Sequence, residues 1–168
     1  MKLAATTIKT PWEPMSVIIN TNNKPTVVAA AFLPLSQLVA KAGHSISDQK
    51  ITRDPSLAGL SEFINDWIDG DFAALNALPV SQPGGPFMQE CWKALRKVKA
   101  GSVVSYAELA HKAGRPRAIR AAGTACATNL IAPIIPCHRV VRTGGDIGNY
   151  GFGVPLKRAL LEHEGVEL

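Results

Sequence analysis

The pattern of apolar and polar positions changes period partway along the chain. The runs "MSVIIN" (residues 15–20) and "TVVAAAFL" (residues 26–33) are short, apolar and rich in β-branched side chains, and they flank the turn-prone "TNNKP". This predicts a β-hairpin. The stretch "SLAGLSEFINDWIDG" (residues 56–70) then places Leu57, Leu60, Ile64, Trp67 and Ile68 at helical spacing, with Ser56 as its cap and Gly70 as its stop. No local pattern fixes a strand order. Two prolines and two glycines in "VSQPGGPF" (residues 80–87) interrupt helix and strand alike and divide the chain into residues 1–82 and 83–168.

Beyond that break the period is helical. "PFMQECWKALRKV" opens on Pro86 and repeats apolar residues at Phe87, Cys91, Leu95 and Val98, so Cys91 reads as core. "SYAELAHKAG" carries the capping pattern Ser105-x-x-Glu108 and stops at Gly114. A further helix is predicted from Pro116 through "RAIRAAGTACAT", which completes a helix-turn-helix outline. On it Ile119, Ala122 and Cys126 share one side and read as core, while Arg120, Gly123, Thr124 and Ala127 share another. The second side is a face of very small side chains with one long cation. It suits close approach to something narrow, such as a DNA minor groove about 6 Å wide, or close helix packing; an unpaired buried guanidinium is costly, which argues against packing.

Composition sets the class. With 46% hydrophobic and 18% charged residues the chain reads as an ordinary soluble globular protein rather than a disordered or fibrous one, and a hairpin followed by helices puts it in the α+β class. The N-terminus has no signal-peptide apolar core and no apolar run reaches the roughly 18 residues of a membrane span, so a cytoplasmic location is expected. Charge alters the picture further, because residues 1–85 carry a net −1 and residues 86–168 a net +6. Between Leu109 and Gly145 stand Lys112, Arg115, Arg117, Arg120, Arg139 and Arg142 with no acid, which points to a polyanionic partner. The three cysteines lack a C-x-x-C spacing and the four histidines lack ligand pairing, so neither a disulfide framework nor a metal site is expected.

The stretch "IIPCHRVV" (residues 134–141) holds the candidate chemistry. Pro136 favours an extended Ile135, which puts Cys137 at the end of a buried segment where its thiol is quenched unless a base or positive field activates it. His138 is adjacent, yet neighbours on a strand point to opposite faces, so a sharp turn or a bridging water is required. A third group should orient the imidazole; Asp146, Glu162, Glu164 and Glu167 are available, and spacing from Leu156 and Leu160 puts Glu164 on the inward side of a terminal helix. Cys137 as nucleophile in a Cys-His-Glu relay, as metal ligand and as packing residue all remain open on these grounds. A relay would serve a hydrolase or amidase equally well, and with Cys137 in the core the chain would be a non-catalytic DNA-binding module.

The ordered set "SYAELA", "RAIRAAG", "PCHRVV" and "GNYGFGVPLKRALLEHEG", over roughly residues 86–165, closely resembles the O6-alkylguanine-DNA alkyltransferases. The resemblance implies an N-terminal ribonuclease-H-like sheet domain followed by a helical, winged-helix-like DNA-binding domain. It implies direct repair of double-stranded DNA by a cytoplasmic monomer that moves the alkyl group of O6-alkylguanine, and of O4-alkylthymine, irreversibly to Cys137, without cofactor. By position, His138 resembles the base that takes the thiol proton through a water and Glu164 the acid that orients it. Asn129 resembles the residue that ties the active-site turn to the recognition helix. Tyr106 resembles the tyrosine that rotates the nucleotide outward, and Arg120 the finger that fills the vacated space, with Arg117, Gly123, Thr124 and Ala127 along the DNA face. "GGDIGNYGFG" lacks the G-x-x-x-x-G-K-[ST] phosphate pattern and matches the pocket wall, with Tyr150 and then Gly151 where many members have serine. Leu130 stands where some members have proline, and the zinc-binding cysteines of vertebrate members have no counterpart, so no metal is implied.

Overall fold

The computed structural model describes Met1–Leu168. The chain divides into two units, Met1–Gln82 with Leu130–Ile134, and Pro83–Asn129 with Ile135–Leu168. The short segment at Leu130–Ile134 therefore belongs with the first unit, away from its sequence neighbours.

In the first unit, β1 (Leu3–Ile8), β2 (Met15–Asn20), β3 (Thr26–Ala31) and β4 (Ile51–Arg53) form a sheet in the order β3-β2-β1-β4. The predicted hairpin is β2 and β3, antiparallel from Ser16 opposite Ala31 to Asn20 opposite Thr26, with an irregularity between Ile18 and Ile19. Strand β1 escaped the pattern because "LAATTI" is buried at every position but Thr7, which erases the alternation that marks a half-exposed strand. Its other neighbour, β4, is parallel and reached through α1 (Leu35–Ala42) and α2 (His44–Ser47).

The helix expected from residue 56 starts later. Ser56 makes no side-chain cap; instead the Asp54 carboxylate accepts from the Ser56 N–H and hydroxyl and from the Ala58 N–H. These bonds hold Leu57 and Ala58 at φ 50° and 54°, a left-handed conformation that non-glycine residues seldom adopt. Both belong to a distorted 3₁₀ turn at Leu57–Gly59, and only after it does α3 (Ser61–Ile68) begin. Trp67 is fully buried and packs on Trp12 with ring centroids 5.6 Å apart. Residues Leu130–Ile134 close the unit: the Ala30 N–H donates to Leu130 O, the Ala132 N–H to Ala30 O, and the Leu130 N–H to the Gln82 side chain.

The second unit is built on α4 (Pro86–Lys97), the short β5 (Val104–Ser105), α5 (Tyr106–Lys112), α6 (Ile119–Ala127), β6 (Val140–Val141) and α7 (Val154–His163). Proline at the first turn of α4 uses the position where a missing N–H costs least. Cys91 is fully buried, as its spacing predicts. The Trp92 indole N–H donates to Ala125 O at 2.9 Å, satisfying a carbonyl in the last turn of α6. A Cβ on Gly84 would lie 2.6 Å from the Trp92 ring, so a larger residue there has to displace that buried side chain.

Both bonds of the Ser105–Glu108 capping box are present. Helix α6, in contrast, begins at Ile119 rather than Pro116. Residues 115–118 form a turn closed by the Ala118 N–H on Arg115 O, and Ala118 (φ −87°, ψ 47°) is not helical. The buried side of α6 is made by Ala122 and Ala125; Cys126 is only partly covered, and Ile119, expected in the core, is 46% exposed. A stripe needs a neighbour over its whole length, and Ile119, at the very start of α6, lies beyond the part that is covered.

Candidate active site

Cys137 sits on a turn. Pro136 (φ −85°, ψ 65°) takes the chain out of its extended run, and Cys137–Arg139 form a single 3₁₀ turn closed by bonds from Cys137 N–H to Ile135 O and Arg139 N–H to Pro136 O. Successive side chains on such a turn lie about 120° apart instead of on opposite faces. This answers the geometric objection to a neighbouring Cys and His. The turn is anchored on both sides: β6 immediately after it pairs with β5, Val140 opposite Val104, and Asn129 donates its side-chain N–H to Ile135 O at 2.8 Å and to Cys137 Sγ at 3.4 Å.

His138 and Glu164 are buried, with His138 Nε2 2.8 Å from Glu164 Oε1. Asp146, Glu162 and Glu167 are exposed. Burial pushes the His138 imidazole below its ordinary value, further than the Glu164 bond raises it, with the Arg139 and Lys157 charges adding to the depression. The ring is therefore neutral near pH 7. Its Nε2–H donates to the carboxylate, and its Nδ1 is a buried atom with no hydrogen-bond partner, available as a base on the side away from Glu164. Burial alone would raise the Glu164 carboxyl, but the Arg139 and His138 bonds outweigh it and hold the group well below the carboxylate range.

Sequence reasoning missed two residues here. Arg139, counted among the cations available to a polyanion, is 4% exposed and clasps Glu164 instead, Nε to Oε1 at 2.9 Å and Nη2 to Oε2 at 2.5 Å, while Nη1 donates to Val98 O. It is a bidentate ion pair closed to outside partners. Lys157 is fully buried and donates from Nζ to Val140 O at 2.6 Å and Asn149 O at 3.0 Å. Burial draws its ammonium down to about 8, against the raising influence of Cys137 and Cys126. The signal for Lys157 was present, since Lys157, Leu160, Leu161 and Glu164 form one inward i, i+3, i+4, i+7 stripe. Counting charges, the buried set holds Arg139⁺, Lys157⁺ and Glu164⁻ with His138 neutral. One positive charge is in excess, a field that favours negative charge nearby.

Tyr106 is the first residue of α5, directly behind the cap, and is half-buried against Gly123 of α6, whose Cβ position lies 4.0 Å from the ring. Burial raises its hydroxyl above the ordinary value, with Cys126 and Cys137 contributing, so it stays a hydrogen-bond donor. Tyr150 packs edge-on against His138, with centroids 6.4 Å apart, and against Phe152; its hydroxyl is buried without a partner and its pKa is pushed well up by burial. Gly151 is exposed. Gly148, at φ +72° with its Cβ position 3.6 Å from Lys157 Nζ, lets the loop before Tyr150 close over the ammonium. Arg120, Thr124 and Ala127 form an exposed face of α6, with Arg117 exposed just ahead of it; the Thr124 hydroxyl bonds back to Arg120 O. Asn129 thus touches Cys137, and His138, next to Cys137 in sequence, touches Glu164 and Tyr150; Tyr106 is near enough to Cys126 and Cys137 to feel their charge. No three His, Cys, Asp or Glu side chains converge in a metal-binding group.

Cys137 on a 3₁₀ turn, the buried His138–Glu164 pair and the exposed small-residue face of α6 with Arg120 make up the candidate site. Residues 86–166 match the family model described as 6-O-methylguanine DNA methyltransferase, DNA binding domain. The methylated-DNA–protein-cysteine methyltransferase of Shigella flexneri is 41% identical over 107 residues, covering 64% of this chain and 63% of that protein. The human protein of the same name is 48% identical over 90 residues, 54% of this chain and 44% of that one. The chain thus spans less than two thirds of the length of these curated relatives in the matched region. Over nearly the whole chain, the crystal structure of Mycobacterium tuberculosis OGT in complex with DNA aligns with a TM-score of 0.75 and 31% identity, covering 96% of this chain and 92% of that one. The chain belongs to the O6-alkylguanine-DNA alkyltransferase family, and its mixed α+β class agrees with these structures. No helix is long and apolar enough to cross a membrane.

Proposed function

We propose that this chain repairs double-stranded DNA by moving the alkyl group of O6-alkylguanine to the Cys137 sulfur, once per molecule, as a cytoplasmic monomer without cofactor. The observation that carries the reading is the buried His138–Glu164 pair beside Cys137, with the imidazole Nδ1 left open. The thiol proton passes through a bridging water to Nδ1, and Glu164 stabilises the imidazolium that results. The thiolate attacks the alkyl carbon, so the S–C bond forms as the O6–C bond breaks and its electron pair stays with the base. Tyr106 donates a hydrogen bond to the departing guanine. In net terms the thiol proton replaces the alkyl group on guanine. The thioether product has no exchange route back, which makes the reaction stoichiometric.

An alkyl group inside the stack cannot reach a cysteine in a pocket, so the nucleotide must rotate out. Gly123, Thr124 and Ala127 let α6 approach the minor groove, Arg120 occupies the vacated space, Arg117 pairs with phosphate, and Tyr150 and Gly151 line the pocket receiving the base. The test is the intact mass of the protein after incubation with duplex carrying O6-methylguanine, followed by peptide mapping: one added methyl, on Cys137, is expected. Cys137→Ser should abolish transfer with DNA binding largely retained. Methyl transfer by that variant, or repeated turnover, would overturn the assignment.

A further inference from the structure

Three large apolar side chains are exposed, and two of them, Met1 and Leu168, are the first and last residues. The third is Ile119, the first helical residue of α6. Its surroundings are cationic: Arg115, Arg117 and Arg120 are exposed on either side of it, Arg115 holding its guanidinium over the Phe87 ring at 5.7 Å. Arg115, Pro116, Arg117 and Ala118, immediately before Ile119, line an open groove of about 530 Å³. A branched aliphatic side chain gains about 1.5–3 kcal/mol when fully buried, and no neighbouring element of this chain supplies that burial.

Charge complementarity selects the occupant of this face. Three guanidiniums fit a phosphate backbone, but an isoleucine offers phosphate nothing, so its contact on the same polyanion has to be the apolar faces of bases. Ile119 and Arg120 are consecutive, about 100° apart around the helix axis, and therefore enter a groove side by side. Gly123, Thr124 and Ala127 bring the helix close without filling the space between base pairs; a four-carbon side chain can fill it. We propose that Ile119 is an apolar wedge that enters the minor groove beside Arg120 and parts the base step next to the rotated nucleotide. The inference rests on the alkyltransferase reading and assigns an unstacking residue to it. Wedging by apolar side chains is a general route to opening a step from the minor groove.

The two residues make separable contributions. Contacts to phosphate release counterions and steepen the dependence of affinity on salt, whereas an apolar contact shifts affinity by the same factor at every salt concentration. The experiment compares the wild-type chain and Ile119→Ala on duplex DNA with 2-aminopurine beside O6-methylguanine, and on the free O6-methylguanine base. It follows affinity at several salt concentrations, 2-aminopurine emission and single-turnover transfer. Alanine is the better helix former, so the variant should melt with the wild type. The wedge predicts duplex affinity about tenfold weaker, an unchanged salt slope, a smaller emission rise, and a duplex-to-free-base rate ratio reduced by about the same factor.

Wild-type emission and affinity in Ile119→Ala would overturn the wedge. So would an equal rate loss on both substrates, which would make Ile119 a support of the pocket, or a loss seen only where several chains occupy one duplex, which would make it a contact between copies. A wild-type chain that binds the duplex and transfers nothing would instead overturn the alkyltransferase reading, and the emission and affinity arms would still decide the wedge.

Discussion

The two units bury different kinds of polar group. The first unit buries Thr6, Ser16, Ser61 and Gln82, all neutral, and the second buries Ser105 and Asn129 together with the ionisable His138, Arg139, Lys157 and Glu164. The neutral groups meet the backbone around them: Ser16 Oγ donates to Leu33 O, and Ser61 Oγ to Pro55 O. The ionisable ones also bond to one another, His138 and Arg139 to Glu164, while Arg139 and Lys157 donate to the carbonyls of Val98 and Val140. Desolvating a charge costs several kcal/mol before any pairing, so the second unit gives up stability that the first keeps. What it obtains is a site in which an imidazole, an ammonium and a carboxylate have unusual proton affinities.

The sharpest way to break this contrast is to remove the one buried anion. Glu164→Gln leaves Arg139 clasping an amide, with both buried cations short of a carboxylate; a loss of about 3–5 kcal/mol in urea denaturation is expected, with slower methyl transfer as His138 loses its orienting partner. A loss under about 1 kcal/mol would mean that the pair is worth no more than a surface salt bridge.

Acidity offers the next test, because all three shifts have one sign. Glu164 is held below its ordinary value near 4.5, so it contributes stability that is present above that pH and lost as the pH falls toward the folded value. His138 is held below 6.5, so acidification through that value also favours the unfolded chain, which takes up the proton more readily. Lys157, at about 8 against 10.5, releases its proton first in the folded state, so stability should rise between those two values. Lys157→Met should flatten that alkaline rise and leave the acid limb, as read by denaturation midpoints across pH. An unchanged alkaline slope in the variant would show that another group produces it.

Smaller effects sharpen the comparison. Ser105→Ala removes one half of the capping box and should cost about 1 kcal/mol, while also slowing duplex repair because Tyr106 is the first residue behind that cap. Ser16→Ala should cost a similar amount, about 1 kcal/mol, without changing transfer. Arg117→Ala should alter stability by less than about 0.5 kcal/mol and lower the salt slope of duplex binding by about one. Equal effects of Ser105→Ala and Ser16→Ala on repair would erase the functional distinction between the two buried serines.

What the sequence made legible follows from range. The hairpin, α4, the capping box and the Cys137–His138 neighbourhood are local, written in adjacent residues, and they could be read. Strand β1 could not, because burial on both sides removes its alternation. The start of α6 was misplaced because Pro116 is compatible both with a first helical turn and with the open turn that Arg115 and Ala118 close. Glu164 was identified from its stripe, but the Arg139 that holds it stands 25 residues away in sequence, where a basic residue inside a basic run gives no sign that it faces inward.

The return of Leu130–Ile134 to the first unit bears on whether the molecule can be severed. A cut at the proline and glycine stretch puts the sheet in one product and the helices with Cys137 in the other. The reactive half would nonetheless carry away five residues whose backbone partners, Ala30 and Gln82, stay behind. Ile131, Ala132 and Ile134, all but fully covered in the intact chain, would meet water a few positions before Cys137. Recombination that exchanges residues 83–168 therefore has to preserve the pairing of Leu130–Ile134 with Ala30 and Gln82 to keep the first unit intact.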